Sequence, residues 1–151
     1  MLLAAALTAL SGCVKRSLCI RTSIVPTANG NQPVAVDLLL VRDKDLIKKL
    51  LTIPASEWFE KRAQFTRDYP DTKDLVVYHR EWVPGQVIPC SSITLVPMPR
   101  ATVVFANYFT KGDHRARLKN VRGAAIRLME DDFEILPVKD CNRTNCPQAN
   151  P

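Results

Sequence analysis

Ala101-Thr102-Val103-Val104-Phe105-Ala106-Asn107-Tyr108 is the stretch that decides the fold of this chain. β-Branched and aromatic residues follow one another with no charge and no proline. That is the composition of a central strand, flanked by neighbours and buried on its faces. The turn formers Lys111-Gly112-Asp113 close it.

Other stretches have the same texture. Leu75 to Val83 alternates weakly and stops at the turn Pro84-Gly85. Val87 to Val96 is broken by Pro89 and a Ser pair, so it reads as an edge strand. Leu18 to Val25 and Val34 to Val41 are rich in β-branched and apolar residues. Between them, Thr27-Ala28-Asn29-Gly30-Asn31-Gln32-Pro33 is built of turn formers. The second of these strands has enough apolar residues to be buried on one or both faces. Arg115 to Val121 is polar and basic. Gly123 to Leu128 and Phe133 to Val138 complete about seven short strands.

One segment differs. Leu46, Ile47, Leu50 and Leu51 fall at helical spacing, and Pro54 ends that run. Ser56 reads as the N-cap of a second helix through Phe65. Ala55, Trp58, Phe59 and Ala63 would form its sheet-facing stripe. The expectation is a mainly β chain: a small β-sandwich with a helical insertion at about residues 44–66. The domain spans 18–138, and the tail after Cys146 is expected to fray.

The N-terminus carries a separate signal. Leu2 to Leu10 is uncharged and apolar, and Leu10-Ser11-Gly12-Cys13 follows. The run is far short of the ~20 residues that a membrane-crossing helix needs. It resembles a bacterial lipobox: residues 1–12 a signal peptide, Cys13 the lipidated residue, 13–17 a tether. No Lys or Arg precedes the run, so a start codon upstream of Met1, or a trimmed sequence, is expected. Val14 after the Cys, in place of Asp, resembles lipoproteins sent to the outer membrane.

Export makes cysteine parity informative. Cys13 is assigned to lipid, and Cys19, Cys90, Cys141 and Cys146 remain, which reads as two disulfides. The favoured pairing is Cys141–Cys146, closing a loop in the tail 139–151, with Cys19–Cys90 as a long staple. Cys141 and Cys146 have loosely metal-like spacing. With no His beside them and no second close pair, no metal is expected.

Catalytic signatures are missing from the sequence. The two histidines, His79 and His114, lack the spacing of a zinc helix. No Gly-x-Ser-x-Gly elbow occurs, and five glycines in 151 residues leave no phosphate cradle. Both histidines read as solvated or locally hydrogen-bonded, and no enzyme and no cofactor are expected. The formal net charge of +6 suggests an anionic partner, lipid headgroups or an acidic protein surface. No basic run with interleaved aromatics points to nucleic acid.

The order of features resembles the outer-membrane lipoprotein of the type VI secretion system, the TssJ family. The resemblance runs over roughly residues 18–118. It rests on the lipobox, the loop with Asn29, Gly30 and Pro33 before Val34–Val41, and the stretch Arg42-Asp43-Lys44-Asp45. The helical insertion with Trp58-Phe59, the Pro84-Gly85 turn and the strand ending in Tyr108 complete it. Leu39-Leu40 and Phe109 stand where the family has other residues. The resemblance implies a transthyretin-like β-sandwich held by Cys13 to the periplasmic face of the outer membrane. It implies a non-catalytic scaffold that binds the periplasmic domain of a large inner-membrane partner, TssM. The partner-binding loop would be Thr27, Ala28, Asn29, Gly30, Asn31 and Gln32. As residues alone, the same loop reads equally as a hairpin turn chosen for geometry. The alternative role is a pilotin-like or envelope-maintenance binding lipoprotein of another secretion system.

Overall fold

The computed structural model describes residues 16–70, 72–119, 123–138 and 146–151. The leader, Cys13 and Cys141 lie outside them. The described chain runs β1 (Ser17–Ile24), a 3-10 turn (Ala28–Asn31), β2 (Val34–Val41), α1 (Lys44–Leu50), α2 (Ala55–Asp68) and β3 (Leu75–Trp82). It continues through β4 (Ser91–Thr94), β5 (Ala101–Asn107), β6 (Arg115–Arg117), β7 (Gly123–Leu128) and β8 (Phe133–Pro137). One sheet has the order β4-β1-β7-β8 and the other β3-β2-β5-β6. The protein is mainly β, a sandwich of two four-stranded sheets.

β2 and β5 are buried on both faces, which makes the molecule three layers thick. Side chains alternate along a strand, so each strand serves two cores. Val34, Val36, Leu38 and Leu40 of β2 face the first sheet, with Val104 and Ala106 of β5 beside them. Leu39 and Val41 face the other way, with Ala101, Val103 and Phe105, onto α1 and α2. Trp58 of α2 stacks on Phe105 with ring centroids 5.4 Å apart, and Phe65 lies 5.3 Å from Trp58. Burying one such large apolar side chain stabilises by about 1.5–3 kcal/mol. This layer is therefore a second core of the same domain.

Several expectations need correction. α2 begins at Ala55, directly after Pro54, and Ser56 makes no cap; the Ala55 amide instead bonds to the Asp113 carbonyl at 2.8 Å. Its buried stripe is Ala55, Trp58 and Phe65; Ala63 is exposed and Phe59 half-buried. Arg62 occupies the intervening stripe position because an acid lies beneath it. Arg115–Arg117 forms the short edge strand β6, although its composition is that of a loop. β4 lies at a sheet edge, as Pro89 just before it and its Ser pair suggested.

The cysteine pairing also differs. Cys90 is bonded to Cys146, with Cα atoms 5.2 Å apart. Neither Cys19–Cys90 nor Cys141–Cys146 is therefore formed. Cys19 is also disulfide-bonded, and its sulfur lies 3.7 Å from that of Cys146. The Cys90 bridge draws the tail along β4. The Ser92 amide bonds to Pro147 O and the Ala149 amide to Ser92 O, each at 2.8 Å. Arg80 Nη2 donates to Asn150 O at 2.8 Å. The expected frayed tail is thus tied to the sandwich edge.

Candidate interaction surface

Three connections meet at one end of the sandwich. They are the β1–β2 loop, the β5–β6 loop and the β7–β8 turn. The β1–β2 loop turns through the left-handed conformations of Asn29 (φ 50°), Gly30 (φ 63°) and Asn31 (φ 62°). Gly and Asn tolerate this region best, which explains the Asn-Gly-Asn sequence.

Asn29 is buried and holds the loop in place. Its Nδ2 donates to Pro33 O at 3.0 Å, and its Oδ1 accepts from the Phe109 amide at 2.8 Å. Its own amide donates to Glu130 O at 2.8 Å. One side chain and one amide therefore join all three connections. Tyr108 adds a bond from its hydroxyl to Met129 O at 3.1 Å, and Thr110 Oγ1 donates to Asp131 O at 2.7 Å. Burial lifts the Tyr108 phenol far above its usual value near 10, helped by the Asp132 charge. His114 is buried between Tyr108 and Asp132. Its Nδ1 lies 2.9 Å from Asp132 Oδ1 and its Nε2 2.8 Å from Thr110 O. Gly112 permits this, because a Cβ there would come within 2.8 Å of the imidazole.

The six loop residues singled out from sequence divide in two. Thr27, Gly30, Asn31 and Gln32 are exposed at the tip, while Ala28 and Asn29 are buried beneath it. Beside them Phe109 is 78% exposed, a large apolar side chain standing in water. Sequence reading marked Phe109 only as a departure from a pattern; its neighbours in space come from other loops. Glu130, Asp131, Asp132 and Asp113 are exposed around the same end. A fixed backbone, an apolar projection and an acidic rim thus come together at this end of the sandwich.

A second polar cluster lies between β2 and α2. Asp37 is fully buried; its carboxylate accepts from Trp58 Nε1 at 2.8 Å and from Arg62 Nη1 at 3.2 Å. His79 Nδ1 lies 2.5 Å from the other carboxylate oxygen. The signal in sequence was one acid inside the apolar run Val34–Val41, facing the helix. His79 Nδ1 also lies 2.9 Å from Arg62 Nη1, so the acid, the imidazole and the guanidinium form one cluster. No group of three or more His, Cys, Asp or Glu among the described residues could hold a metal ion.

The described chain is thus a three-layer β-sandwich with three connections joined into a platform at one end. Comparison with known proteins narrows the architecture. No family model and no curated protein matches the chain. Solved structures do. Serratia marcescens Lip, a membrane-bound component of the type VI secretion system, is similar with a TM-score of 0.62 at 14% identity, over 83% of this chain and 99% of that one. The T6SS lipoprotein TssJ1 from Pseudomonas aeruginosa is similar with a TM-score of 0.63 at 16% identity, over 84% and 99%. A structure described as the T6SS protein TssM C-terminal domain (869-1107) from EAEC is similar with a TM-score of 0.55 at 16% identity, over 82% and 98%. The chain has the fold of the T6SS TssJ lipoproteins.

Proposed function

We propose that this chain is the outer-membrane lipoprotein of a type VI secretion membrane complex. Lipid on Cys13 holds it at the periplasmic face, and its loop platform binds the periplasmic domain of a TssM-like inner-membrane protein. The observation that carries this reading is the likeness to two T6SS lipoproteins over almost their whole length. Both helices of this chain pack on the sheet, which weighs against the pilotin-like alternative. The lipobox supports the anchor. The exposed tip of Thr27, Gly30, Asn31, Gln32 and Phe109 supports the binding role. The role is that of a scaffold without turnover.

The test is a pull-down from detergent-solubilised envelope, read by mass spectrometry. Recovery of a large inner-membrane protein with a periplasmic domain supports the scaffold. Recovery of an outer-membrane pore subunit alone overturns it in favour of a pilotin. The matching variant is Asn31→Gly, Gln32→Ala and Phe109→Ser together. It leaves the Asn29 bonds intact and is expected to lose the partner while keeping the fold. Retained capture by this variant moves the interface elsewhere.

A further inference from the structure

We infer that the end of the sandwich opposite the loop platform is a docking surface for an anionic phospholipid membrane. The inference deepens the proposed function and rests on its lipid anchor for orientation. The topology fixes which residues share this end. β1 begins here, and Ser17 pairs with Thr94. β2 finishes here, where Val41 pairs with Leu75 and Ala101. The Leu95–Arg100 connection passes from one sheet to the other across it, and the Leu95 amide bonds to Arg16 O at 2.9 Å.

Cations line this end. Arg100, Arg117 and Lys119 border one hollow in which no acid takes part. Arg42 and Lys73 border an adjoining hollow with no Asp or Glu among its described lining residues, and Pro99 belongs to both. Arg42, Lys73 and Arg100 also border a third hollow on the flank, together with Lys44 and the acids Asp43, Asp45 and Asp74, so the face turned toward Arg117 and Lys119 is the more basic one. Two of these acids have local work: Asp43 accepts from the Leu46 amide at the start of α1, and Asp45 pairs with Lys48. In the middle of the cations, Val96 is 64% exposed and Met98 is 37% exposed. Basic side chains around a few exposed apolar ones are what an anionic lipid interface attracts.

Chain length selects the occupant. Cys13 is three residues before Arg16. Three extended residues reach about 10 Å, roughly one Debye length at 0.1 M salt. Acyl chains on Cys13 therefore bring Arg16 and its neighbours to the headgroups. The acidic platform of Asp113 and Glu130–Asp132 points the other way, beyond strands about 26 Å long. The domain is thus polarised, with the basic end toward lipid and the acidic end toward the partner.

The experiment uses the chain carrying Cys13→Ser, purified from the periplasm, so that no acyl chain contributes. Its binding to phosphatidylcholine vesicles is compared with binding to vesicles that also contain phosphatidylglycerol. Binding is expected only with phosphatidylglycerol, and it should weaken as salt rises. Each cation at the surface is worth about fivefold in partitioning. The variant Arg100→Glu, Arg117→Glu and Lys119→Glu should therefore lose binding by more than tenfold. A second variant, Lys61→Glu, Lys111→Glu and Arg127→Glu, makes the same change in net charge away from this end. It should bind almost as the parent does. Equal loss in both variants, or binding indifferent to lipid charge, overturns the inference. Intact mass of the wild-type chain reports the lipid on Cys13 separately, so failure of the anchor is distinguished from failure of the surface.

Discussion

Trp58 Nε1 donates to Asp37 Oδ2 at 2.8 Å, and this bond ties the helical layer to the central strand β2. Both groups are fully buried, so neither has water as a substitute partner. Asp37→Leu leaves the indole N–H stranded and removes the acceptor for Arg62. An unsatisfied buried donor costs about 1–3 kcal/mol. Urea denaturation followed by tryptophan fluorescence should show at least that loss. Asp37→Asn keeps an acceptor for the indole and should lose less.

Cys90–Cys146 closes a loop across 56 positions. Cys90→Ser should lower stability by about 2–5 kcal/mol. It should also release the tail, so that limited proteolysis removes residues after Cys146 from the variant and not from the parent. Peptide mapping without reductant should link Cys90 to Cys146. Recovery of a Cys19–Cys90 peptide would refute this arrangement.

Asn29→Ala removes the two side-chain bonds that hold the β1–β2 loop to Pro33 and Phe109. It also places a Cβ-bearing residue with less tolerance at φ 50°. A loss of about 1–3 kcal/mol is expected from the bonds. Hydrogen exchange should speed up at the Phe109 amide. Asn29 is thus a support of the platform, and partner-binding variants should spare it.

Tyr108 predicts an alkaline weakness. Burial raises its folded-state pKa above the ordinary value of 10.0. Below that value the phenol is neutral folded or unfolded, and its contribution is fully present. Above it the unfolded chain ionises first, so stability falls as pH rises. Tyr78 is raised by burial as well and shares the effect. The melting temperature should fall above pH 10, and Tyr108→Phe should reduce that fall without abolishing it. A tyrosinate absorbance that appears at pH 10 in the folded protein would contradict the burial argument.

Cys13→Ala tests the anchor by fractionation. The variant should move from the membrane to the soluble periplasm, because the loss of each buried methylene removes about 0.8 kcal/mol of membrane affinity. A variant that still sediments with membranes would refute the lipobox.

The sequence by itself determined the elements. Unbroken runs such as Ala101–Tyr108 and Val34–Val41 are strands because β-branched and aromatic residues fit a pleated, buried surface. Apolar spacing at 46, 47, 50 and 51 made a helix, and Asn-Gly-Asn made a left-handed turn. Those signals are local, carried by neighbours in the chain. The tertiary structure alone decided what is non-local. It made Arg115–Arg117 a strand, because the edge of β5 supplied its hydrogen bonds. It placed Arg62 on the buried stripe, because Asp37 from 25 positions away lies opposite it. It paired Cys90 with Cys146, because disulfides join sulfurs that meet in space and chain spacing does not report that. It also set Phe109 beside Gly30 and Asn31, and Arg42 beside Arg100. Surfaces of this kind assemble from separate connections, so their composition becomes visible only once the strands have taken their order.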